Sequence, residues 1–311
     1  TVSVRAAMGK NRAGRKRKKG LLNRAKELRK THTKQAQYGA KEKQIQLERK
    51  RRKDQEKRRR AVIPFNAKQS ILLVGEGDFS FSVALLRHLK ETLDSSSGQT
   101  KDLPIDGEEG DSLASSRHKR ISFVATCLDG ESALAAKYPT ARGHIRRIEE
   151  LGGAVLKNVD GTKLDAKTLL IGPVKKGFDR IIFNFPHTGC GIQDTEKNNE
   201  VHRQLLFHFL KSSAKCIEKS KGEIHVTLKK GPPYDHWNLP VQVRRTEILR
   251  LKSSYEFYPH LYKGYRHRRT LGAQFAEEEE GGPSANADIV SSGSRTYVIT
   301  LKPPLHNNAK N

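Results

Sequence analysis

The stretch ILLVGEGDFSFS, residues 71–82, constrains the fold more than any other part of the sequence. Four apolar residues lead into two glycines, Gly75 and Gly77, and the following segment, FSVALLRHLKETL, has the composition of a helix. A short apolar run bounded by turn residues is typical of a buried parallel strand. Because glycine lets a backbone approach a ligand closely, this strand, turn and helix predict a ligand-binding loop.

The rest of the chain repeats the alternation of strand and helix. Further predicted strands are RISFVATCLD, AVLKNVDGTKL, FDRIIFNFP, EIHVTLKKGPPY, YEFYPHLY and RTYVITLK, and the segment WNLPVQVRRTEILRLKSS is a predicted helix. Repeated strand, helix, strand units produce a parallel sheet with helices on both faces. The sequence therefore predicts an α/β domain over residues 64–305. A disordered polar insertion at residues 94–118 and an acidic loop at residues 276–294 are expected to interrupt it.

The first 60 residues are far more basic than the rest of the chain. They hold 24 of the 60 Lys and Arg residues and 5 of the 34 Asp and Glu residues, so +19 of the net charge of +26 lies there. Such a segment repels itself and buries little apolar surface, so it is expected to be helical or disordered. We predict a basic extension over residues 1–63 that binds the phosphates of a nucleic acid. A solvated tail or a nuclear-import signal is the alternative, and both interpretations can hold together.

Cysteine spacing and apolar run length exclude several classes of protein. Cys127, Cys190 and Cys216 have no paired spacing, so neither a disulfide framework nor a zinc site is predicted, and we expect no metal. No stretch approaches about 18 consecutive apolar residues, and no signal-peptide pattern is present. We therefore expect a protein of a reducing intracellular compartment with no membrane partner.

Acidic residues at two further strand ends narrow the ligand of the glycine loop. Ser80 occupies the third glycine position of the dinucleotide fingerprint, which disfavours a pyrophosphate cofactor. Asp129 follows the second predicted strand, where a carboxylate would meet ribose hydroxyls. Asp160 follows the third strand, at a height where it would meet an adenine edge. Together these residues indicate an adenosyl ligand, and a turn that only connects strand to helix is the alternative.

The segment NFPH ends the fourth predicted strand beside this loop. Asn184, Phe185, Pro186 and His187 offer an amide, an aromatic face, a rigid backbone and an imidazole. A flat, amide-bearing ring that has left its helix needs hydrogen bonds to its edge and a stacking surface. NFPH is therefore a candidate base-binding site, with a strand-end turn around a buried aromatic residue as the alternative.

A third feature is the basic segment GYRHRRT at residues 264–270, beside Tyr262. Arginines with neighbouring aromatic residues suit phosphates and unpaired bases, so this segment is a candidate RNA contact. A solvated cationic loop is the alternative. The candidate RNA-binding residues are Arg266, Arg268, Arg269 and, from the segment PPYDHWN, Trp237.

Five motifs together resemble those of the eukaryotic 25S ribosomal RNA uridine N3-methyltransferase family. They are ILLVGEGDFSFS, VDGTKL, FDRIIFNFPHTG, GEIHVTLKKGPPYDHWN and GYRHRRT, in the family's order over residues 68–301. The resemblance implies a Rossmann-like class I methyltransferase fold and S-adenosyl-L-methionine as cofactor. It also implies methyl transfer to N3 of a uridine in large-subunit rRNA, free or in pre-60S ribosomal particles of the nucleolus, by an otherwise monomeric protein.

Carried over position by position, the resemblance implies a set of cofactor-binding residues. Compared with common S-adenosylmethionine enzymes, Leu73 replaces the usual acidic residue of the first strand and Phe79 replaces the third glycine. The implied set comprises Gly75, Glu76, Gly77, Asp78 and Phe79 in the loop, Asp129 as the ribose partner and Asp160 as the adenine partner.

NFPH is similar in position to the Asn/Asp-Pro-Pro-aromatic motif of amino-group methyltransferases, with Phe185 in place of the first proline. Uridine N3 carries a proton, so its methylation requires a base or a polarising contact. His187 is the first candidate for the base, although a substrate contact or a packed turn residue is equally compatible with its position. Asp235 and His236 are second-choice acid or base groups, and Phe185 or Trp237 would stack on the flipped base. The catalytic candidates are Asn184, Phe185, Pro186 and His187.

The sequence leaves two other functions open. A catalytically silent ribosome-assembly factor would bind pre-rRNA without using its pocket, and cofactor binding separates it from an enzyme. An amino-group methyltransferase would act on adenine or cytosine, and analysis of the product nucleoside separates it from a uridine enzyme.

Overall fold

The computed structural model describes residues 39–97, 121–169, 176–268 and 293–303. The chain divides into two compact units, Thr1–Ala61 and Val62–Asn311. In the first unit, residues 39–60 form a helix, α1, that is exposed along its length. A helix so rich in Lys and Arg has no wide apolar stripe to bury, which explains its exposure. In the described ranges, no helix is long and apolar enough to span a bilayer.

The second unit alternates strands and helices. The strands are β1 (Ile71–Val74), β2 (Phe123–Thr126), β3 (Ala154–Leu156), β4 (Arg180–Asn184), β5 (Glu223–Lys229), β6 (Leu249–Glu256) and β7 (Ser294–Leu301). The helices are α2 (Ser80–Ser97), α3 (Glu131–Lys137), α4 (Ala141–Glu150), α5 (Ala166–Leu169), α6 (Thr195–Cys216) and α7 (Leu239–Arg245). Short 3₁₀ turns occur at Gly161–Lys163, Tyr234–Trp237 and Pro259–Leu261.

The seven strands form one sheet in the order β3-β2-β1-β4-β5-β7-β6. Pairing is parallel from β3 through β5, whereas β7 runs antiparallel to both β5 and β6. The strand order reverses between β1 and β4, and such a switch point opens a crevice at the carboxyl ends of the strands. This order, with its single antiparallel strand, is that of the class I methyltransferase sheet, so the predicted fold class is confirmed.

Both faces of the sheet are covered, which explains the continuous apolar run of β1. Leu72 and Val74 belong to the core on one face, together with residues of α5, α6 and α7. Ile71 and Leu73 belong to the core on the other face, together with residues of α2, α3 and α4. Leu73 is fully buried, so the acidic residue usual at this position would have no water to solvate it here.

Two predicted interruptions fall partly outside the described residues. Helix α2 continues to Ser97, so the first four residues of the predicted insertion at 94–118 are helical and that boundary was wrong. The remainder of the insertion, residues 98–118, lies outside the described residues. The same holds for residues 276–292 of the predicted acidic loop, and Ser294 at its end is already the first residue of β7.

The region between residues 237 and 262 differs from the prediction. The predicted helix WNLPVQVRRTEILRLKSS splits into α7 and the strand β6, because Glu247 takes a positive φ of 64° that ends the helix. The predicted strand YEFYPHLY contributes only its first residues to β6 and then forms the turn Pro259–Leu261. Its aromatic residues pack against α2 instead, with the Phe81 and Tyr262 ring centroids 4.6 Å apart.

Candidate active site

A cavity of about 530 Å³ opens at the carboxyl ends of β1, β2 and β4. It lies at the switch point of the sheet, where α/β folds bind their ligands. The structure therefore brings most of the predicted site residues to one place. The predicted residues that line it are Gly75, Glu76, Gly77, Asp78, Asp129, Asp160, Asn184, Phe185, His187, Arg266 and Arg268.

The turn after β1 requires glycine at position 75. Gly75 has a φ of +69°, and a Cβ atom there would lie 2.4 Å from Cε2 of Phe183. Both the left-handed backbone and this close approach exclude a side chain. Phe79 also has a positive φ, 64°, but its side chain is fully buried in the core. Phe79 does not line the cavity, so its predicted contact with a cofactor is not seen, and its ring packs beneath the loop.

The side-chain carboxyl group of Glu76, in the cavity wall, has a raised pKa. Its Oε2 accepts hydrogen bonds from the Ser82 hydroxyl at 2.7 Å and the Ser82 backbone N–H at 3.2 Å. Burial is the largest cause that raises the pKa of Glu76, the Ser82 hydrogen bonds lower it and the nearby Asp78 carboxylate raises it, so that the resulting pKa is about 7. An acidic group held at such a pKa would gain from a cationic ligand, which favours its charged form.

The two acidic residues that follow β2 and β3 line the same cavity but have different local partners. Asp129 Oδ1 pairs with Lys137 Nζ at 2.6 Å, which holds the carboxylate in place. Asp160 Oδ1 accepts hydrogen bonds from the backbone N–H and hydroxyl of Thr162, at 2.8 and 2.7 Å, and so caps the following 3₁₀ turn. Burial would raise the pKa of Asp160, but its hydrogen bonds from Thr162 and the nearby Lys163 hold that pKa below the ordinary value.

Asn184, the last residue of β4, is fixed through its oxygen. The Thr227 hydroxyl on β5 donates a hydrogen bond of 2.7 Å to Asn184 Oδ1. Asn184 Nδ2 is buried and has no hydrogen-bond partner among the described residues. A buried amide N–H without a partner is costly, so Nδ2 is a donor prepared for a ligand.

Phe185 and Pro186 shape the strand end. Phe185 has a positive φ of 51°, and its ring lies 4.6 Å from that of His267 and 5.6 Å from that of Phe257. Positive φ is uncommon for an aromatic residue, so the surrounding contacts hold this turn in place. Pro186 is buried and does not line the cavity.

The imidazole rings of two histidines bind the backbone of the loop that follows Pro186. His187 Nδ1 accepts the backbone N–H of Gly189 at 3.0 Å, and His202 Nε2 on α6 accepts that of Thr188 at 3.4 Å. The two rings lie 4.5 Å apart. Because a backbone N–H only donates, both accepting nitrogens are unprotonated. His187 therefore carries its proton on Nε2 and offers a donor, which disfavours its predicted role as the general base.

Protonation of either ring would break this arrangement. Surrounding protein lowers the pKa of His187 below its ordinary value, and His202 lowers it further. Burial lowers the pKa of His202, although the hydrogen bond from its Nδ1 to the Asn198 carbonyl, 2.8 Å, opposes the shift. Both pKa shifts therefore favour the neutral form of the two rings.

We expect this loop to make folding stability depend on pH. The unfolded histidine has a pKa of about 6.5. The folded pKa of His202 is lower than this value. The neutral His202 ring therefore contributes its full share of the unfolding free energy above about pH 6.5, and this share is lost as the pH falls toward the folded pKa. His202→Gln, which can still accept and donate, should reduce the fall in unfolding free energy between about pH 7.5 and pH 5.5. Urea denaturation at each pH measures the unfolding free energy, and His208→Gln, at an exposed position of the same helix, is the control. If the unfolding free energy of His202→Gln fell with pH as steeply as that of the wild type, the neutral, accepting state of His202 would be contradicted.

The basic segment after β6 forms a wall of the cavity. Arg268 Nε lies 3.3 Å from Asp78 Oδ2, and the Ser80 hydroxyl donates to the backbone carbonyl of Arg266 at 3.0 Å. Tyr265 is buried, with its ring 5.3 Å from that of Phe81. Up to residue 268 the segment therefore contacts the glycine loop and α2, and the charge of Arg268 is paired with Asp78. The exposed Arg266 lines the cavity, and Arg269 lies outside the described residues.

The structure separates the remaining candidates from the main cavity. Trp237 is 1% exposed, and its ring stacks on that of His202 at 4.2 Å and 6°. A buried indole does not fit the predicted stacking on a flipped base. Asp235 and His236, in the same turn, do not line the main cavity. Among the described residues, no group of three or more His, Cys, Asp or Glu side chains is placed to hold a metal ion.

Sequence reasoning missed Thr227 and His202, which position candidate residues. Thr227 pairs in register with Asn184, so a hydroxyl residue near the carboxyl end of the neighbouring strand was the available signal. His202 lies four residues before Leu206 and seven before Phe209 on the buried face of α6. A polar residue at helical spacing on an apolar face was therefore the signal for His202.

Comparison with known proteins decides the family. The family model described as BMT5-like, rRNA (uridine-N3-)-methyltransferase, matches residues 110–269. The chain belongs to this family. The family predicted from the sequence motifs is thus confirmed.

The BMT5-like chain is also similar to curated proteins and to solved structures. It is 31% identical to heavy metal-associated isoprenylated plant protein 41 of Arabidopsis thaliana, over 67% of this chain and 34% of that protein. It is 25% identical to the 25S rRNA (uridine(2634)-N(3))-methyltransferase of Saccharomyces cerevisiae, over 68% of this chain and 69% of that enzyme. The chain thus spans about a third of the plant relative's length. A crystal structure of the 16S rRNA methyltransferase KamB aligns with a TM-score of 0.37 and 12% identity, over 76% of this chain and 91% of that chain.

Proposed function

We propose that this chain transfers a methyl group from S-adenosyl-L-methionine to N3 of a uridine in large-subunit rRNA. The observation that carries the proposal is the buried Asn184 Nδ2, which has no partner in the described part of the chain and belongs to a residue lining the same cavity as the glycine loop and Asp129. One wall thus offers groups for a nucleoside cofactor and another offers a donor for a nucleobase.

The cavity suits the cofactor in size and charge. A volume of about 530 Å³ lies in the range of cofactor sites. Asp129 is placed to accept hydrogen bonds from ribose hydroxyls, and the close approach at Gly75 leaves the backbone accessible. The Glu76 carboxyl group, whose pKa lies at about 7, would be stabilised in its charged form by the positive sulfonium or ammonium group of the cofactor.

The residues around NFPH would act on the uracil ring. When bound, the cofactor supplies an electrophilic methyl group. Uridine N3 becomes a good nucleophile as its proton leaves, and the negative charge then spreads onto the two ring carbonyls. Asn184 Nδ2–H and His187 Nε2–H would donate to a carbonyl and stabilise this charge. Such donors lower the pKa of N3, so that a weak acceptor such as water suffices to take the proton.

Labelled cofactor tests the proposal directly. The protein is incubated with labelled S-adenosyl-L-methionine and unmodified large-subunit rRNA or pre-60S particles, and the nucleosides are resolved by mass spectrometry. We expect labelled 3-methyluridine. Labelled methyladenosine or methylcytidine would instead establish an amino-group methyltransferase. Absence of any labelled nucleoside on either substrate, together with no binding of the cofactor by calorimetry, would contradict enzymatic activity and leave the assembly-factor alternative.

We further propose that residues 1–63 bind RNA and direct the protein to the nucleolus and its pre-60S particles, where it acts as a monomer. The exposure of α1 and the net charge of +19 over residues 1–60 support this role. Deleting residues 1–60 should flatten the dependence of RNA affinity on salt, because fewer counterions are released on binding. Cofactor affinity should stay unchanged. Filter binding over a salt series and calorimetry with the cofactor measure the two effects, and an equal loss of both would contradict this division.

A further inference from the structure

A second cavity, of about 240 Å³, adjoins the first. His187 belongs to the walls of both cavities. The other walls of the second cavity come from the first turn of α6, with Asn199, and from the turn that holds Trp237.

Two polar atoms of these walls are buried without a partner among the described residues. They are Asn199 Oδ1, an acceptor, and Trp237 Nε1, a donor. The two residues are 3% and 1% exposed. Because buried polar groups in native proteins are nearly always paired, an orphan acceptor and an orphan donor in one cavity indicate a ligand with the complementary pair.

We propose that the second cavity holds an unpaired base of the RNA, a neighbour of the target uridine. The Watson–Crick edge of every nucleobase presents an N–H group next to an acceptor, which matches Asn199 Oδ1 and the Trp237 indole N–H. Both atoms are shielded from solvent, so binding includes a small side-chain rotation that brings them onto the base edge. Since His187 separates this cavity from the glycine loop, its occupant flanks the reacting base. This inference rests on the proposed RNA substrate.

The composition of the chain supplies a specific probe. Trp237 is the single tryptophan of the protein, so all tryptophan fluorescence comes from a wall of this cavity. The full chain is titrated with a uridine trinucleotide at high salt, which suppresses binding through the phosphates. A trinucleotide of the same backbone without bases is the matched ligand. We expect a saturable change in fluorescence with the uridine trinucleotide and none with the abasic one.

Variants of two amides on α6 test the hydrogen bond. Asn199→Leu should bind the uridine trinucleotide about tenfold more weakly, because it leaves an N–H of the base unpaired. Gln204→Leu is the matched control, since Gln204 lies on the same helix and lines neither cavity. It should bind as the wild type does. The melting temperature and cofactor affinity of each variant report whether the fold and the first cavity are intact.

The outcomes separate this inference from the proposed function. Equal fluorescence changes with both trinucleotides, or wild-type affinity in Asn199→Leu, would overturn the base site and leave only an ordered water at the two atoms. Methyl transfer from S-adenosyl-L-methionine to large-subunit rRNA is measured with the same protein preparation. Base-dependent fluorescence in a wild-type protein that forms no 3-methyluridine would overturn the proposed reaction while supporting the base site.

Discussion

Replacing Gly75 with alanine is expected to abolish measurable cofactor binding. The added Cβ would lie 2.4 Å from Cε2 of Phe183, a ring held between sheet and helix, so either the ring or the turn must move. The φ of +69° adds a conformational cost of about 1–2 kcal/mol for any residue with a side chain. Since the turn itself forms the cavity wall, its displacement removes the surface that a cofactor contacts. We expect affinity for S-adenosyl-L-homocysteine, measured by calorimetry, to fall at least about a hundredfold, which is the loss of about 3 kcal/mol.

A matched substitution separates this local effect from a general sensitivity to alanine. Gly143 lies in α4, and a Cβ there would meet nothing within 4 Å. Gly143→Ala should bind the cofactor product with wild-type affinity and gain up to about 1 kcal/mol of stability from helix propensity. The double variant Gly75→Ala with Phe183→Leu should recover part of the affinity by making room. Wild-type affinity in Gly75→Ala alone would show that the turn does not approach the cofactor.

The central sheet could be predicted because its strands are buried on both faces. The run ILLV of β1 places alternate side chains in opposite cores, so it reads as continuous and apolar. Strand β6 carries no such signal. It is an edge strand that pairs only with β7, and most of its residues are exposed. Its sequence, LRLKSSYE, therefore resembles the end of a helix. It forms a strand because it pairs with β7, which is distant in the sequence.

The site was predictable in its residue types but not in its contacts. Strand ends carry the polar residues, so Gly75, Asp129 and Asn184 follow from the position of each strand. The side chain of Phe79 points into the core because its φ is positive. An aromatic residue in a sequence gives no indication that its φ is positive. The Arg268 pair with Asp78 joins residues 190 positions apart, and the hydrogen bond from Thr227 to Asn184 joins residues 43 positions apart. Such contacts depend on tertiary packing, which local patterns do not encode.

Replacing Asn184 is expected to lower the rate of methyl transfer strongly while the cofactor still binds. Its Nδ2–H is the buried donor without a partner among the described residues, and it would stabilise the charge that develops on uracil. Removing one such donor typically lowers kcat by about 10²–10³-fold. Asn184→Ala should show this loss, and Asn184→Asp a greater one, because it replaces the donor with a negative charge beside a developing anion. Steady-state kinetics with rRNA as substrate measure both variants, and cofactor affinity should change little in Asn184→Ala.

Thr227 supplies the positioning counterpart of this prediction. Its hydroxyl holds Asn184 Oδ1 at 2.7 Å and thereby orients Nδ2. Thr227→Val keeps the shape of the side chain and removes only the hydroxyl, so the amide can rotate and the donor is misaligned for part of the time. We expect kcat to fall about tenfold, the effect of one lost hydrogen bond, with KM for the RNA nearly unchanged. If either variant raised KM and left kcat intact, Asn184 would bind the substrate uniformly and would not act in the transition state.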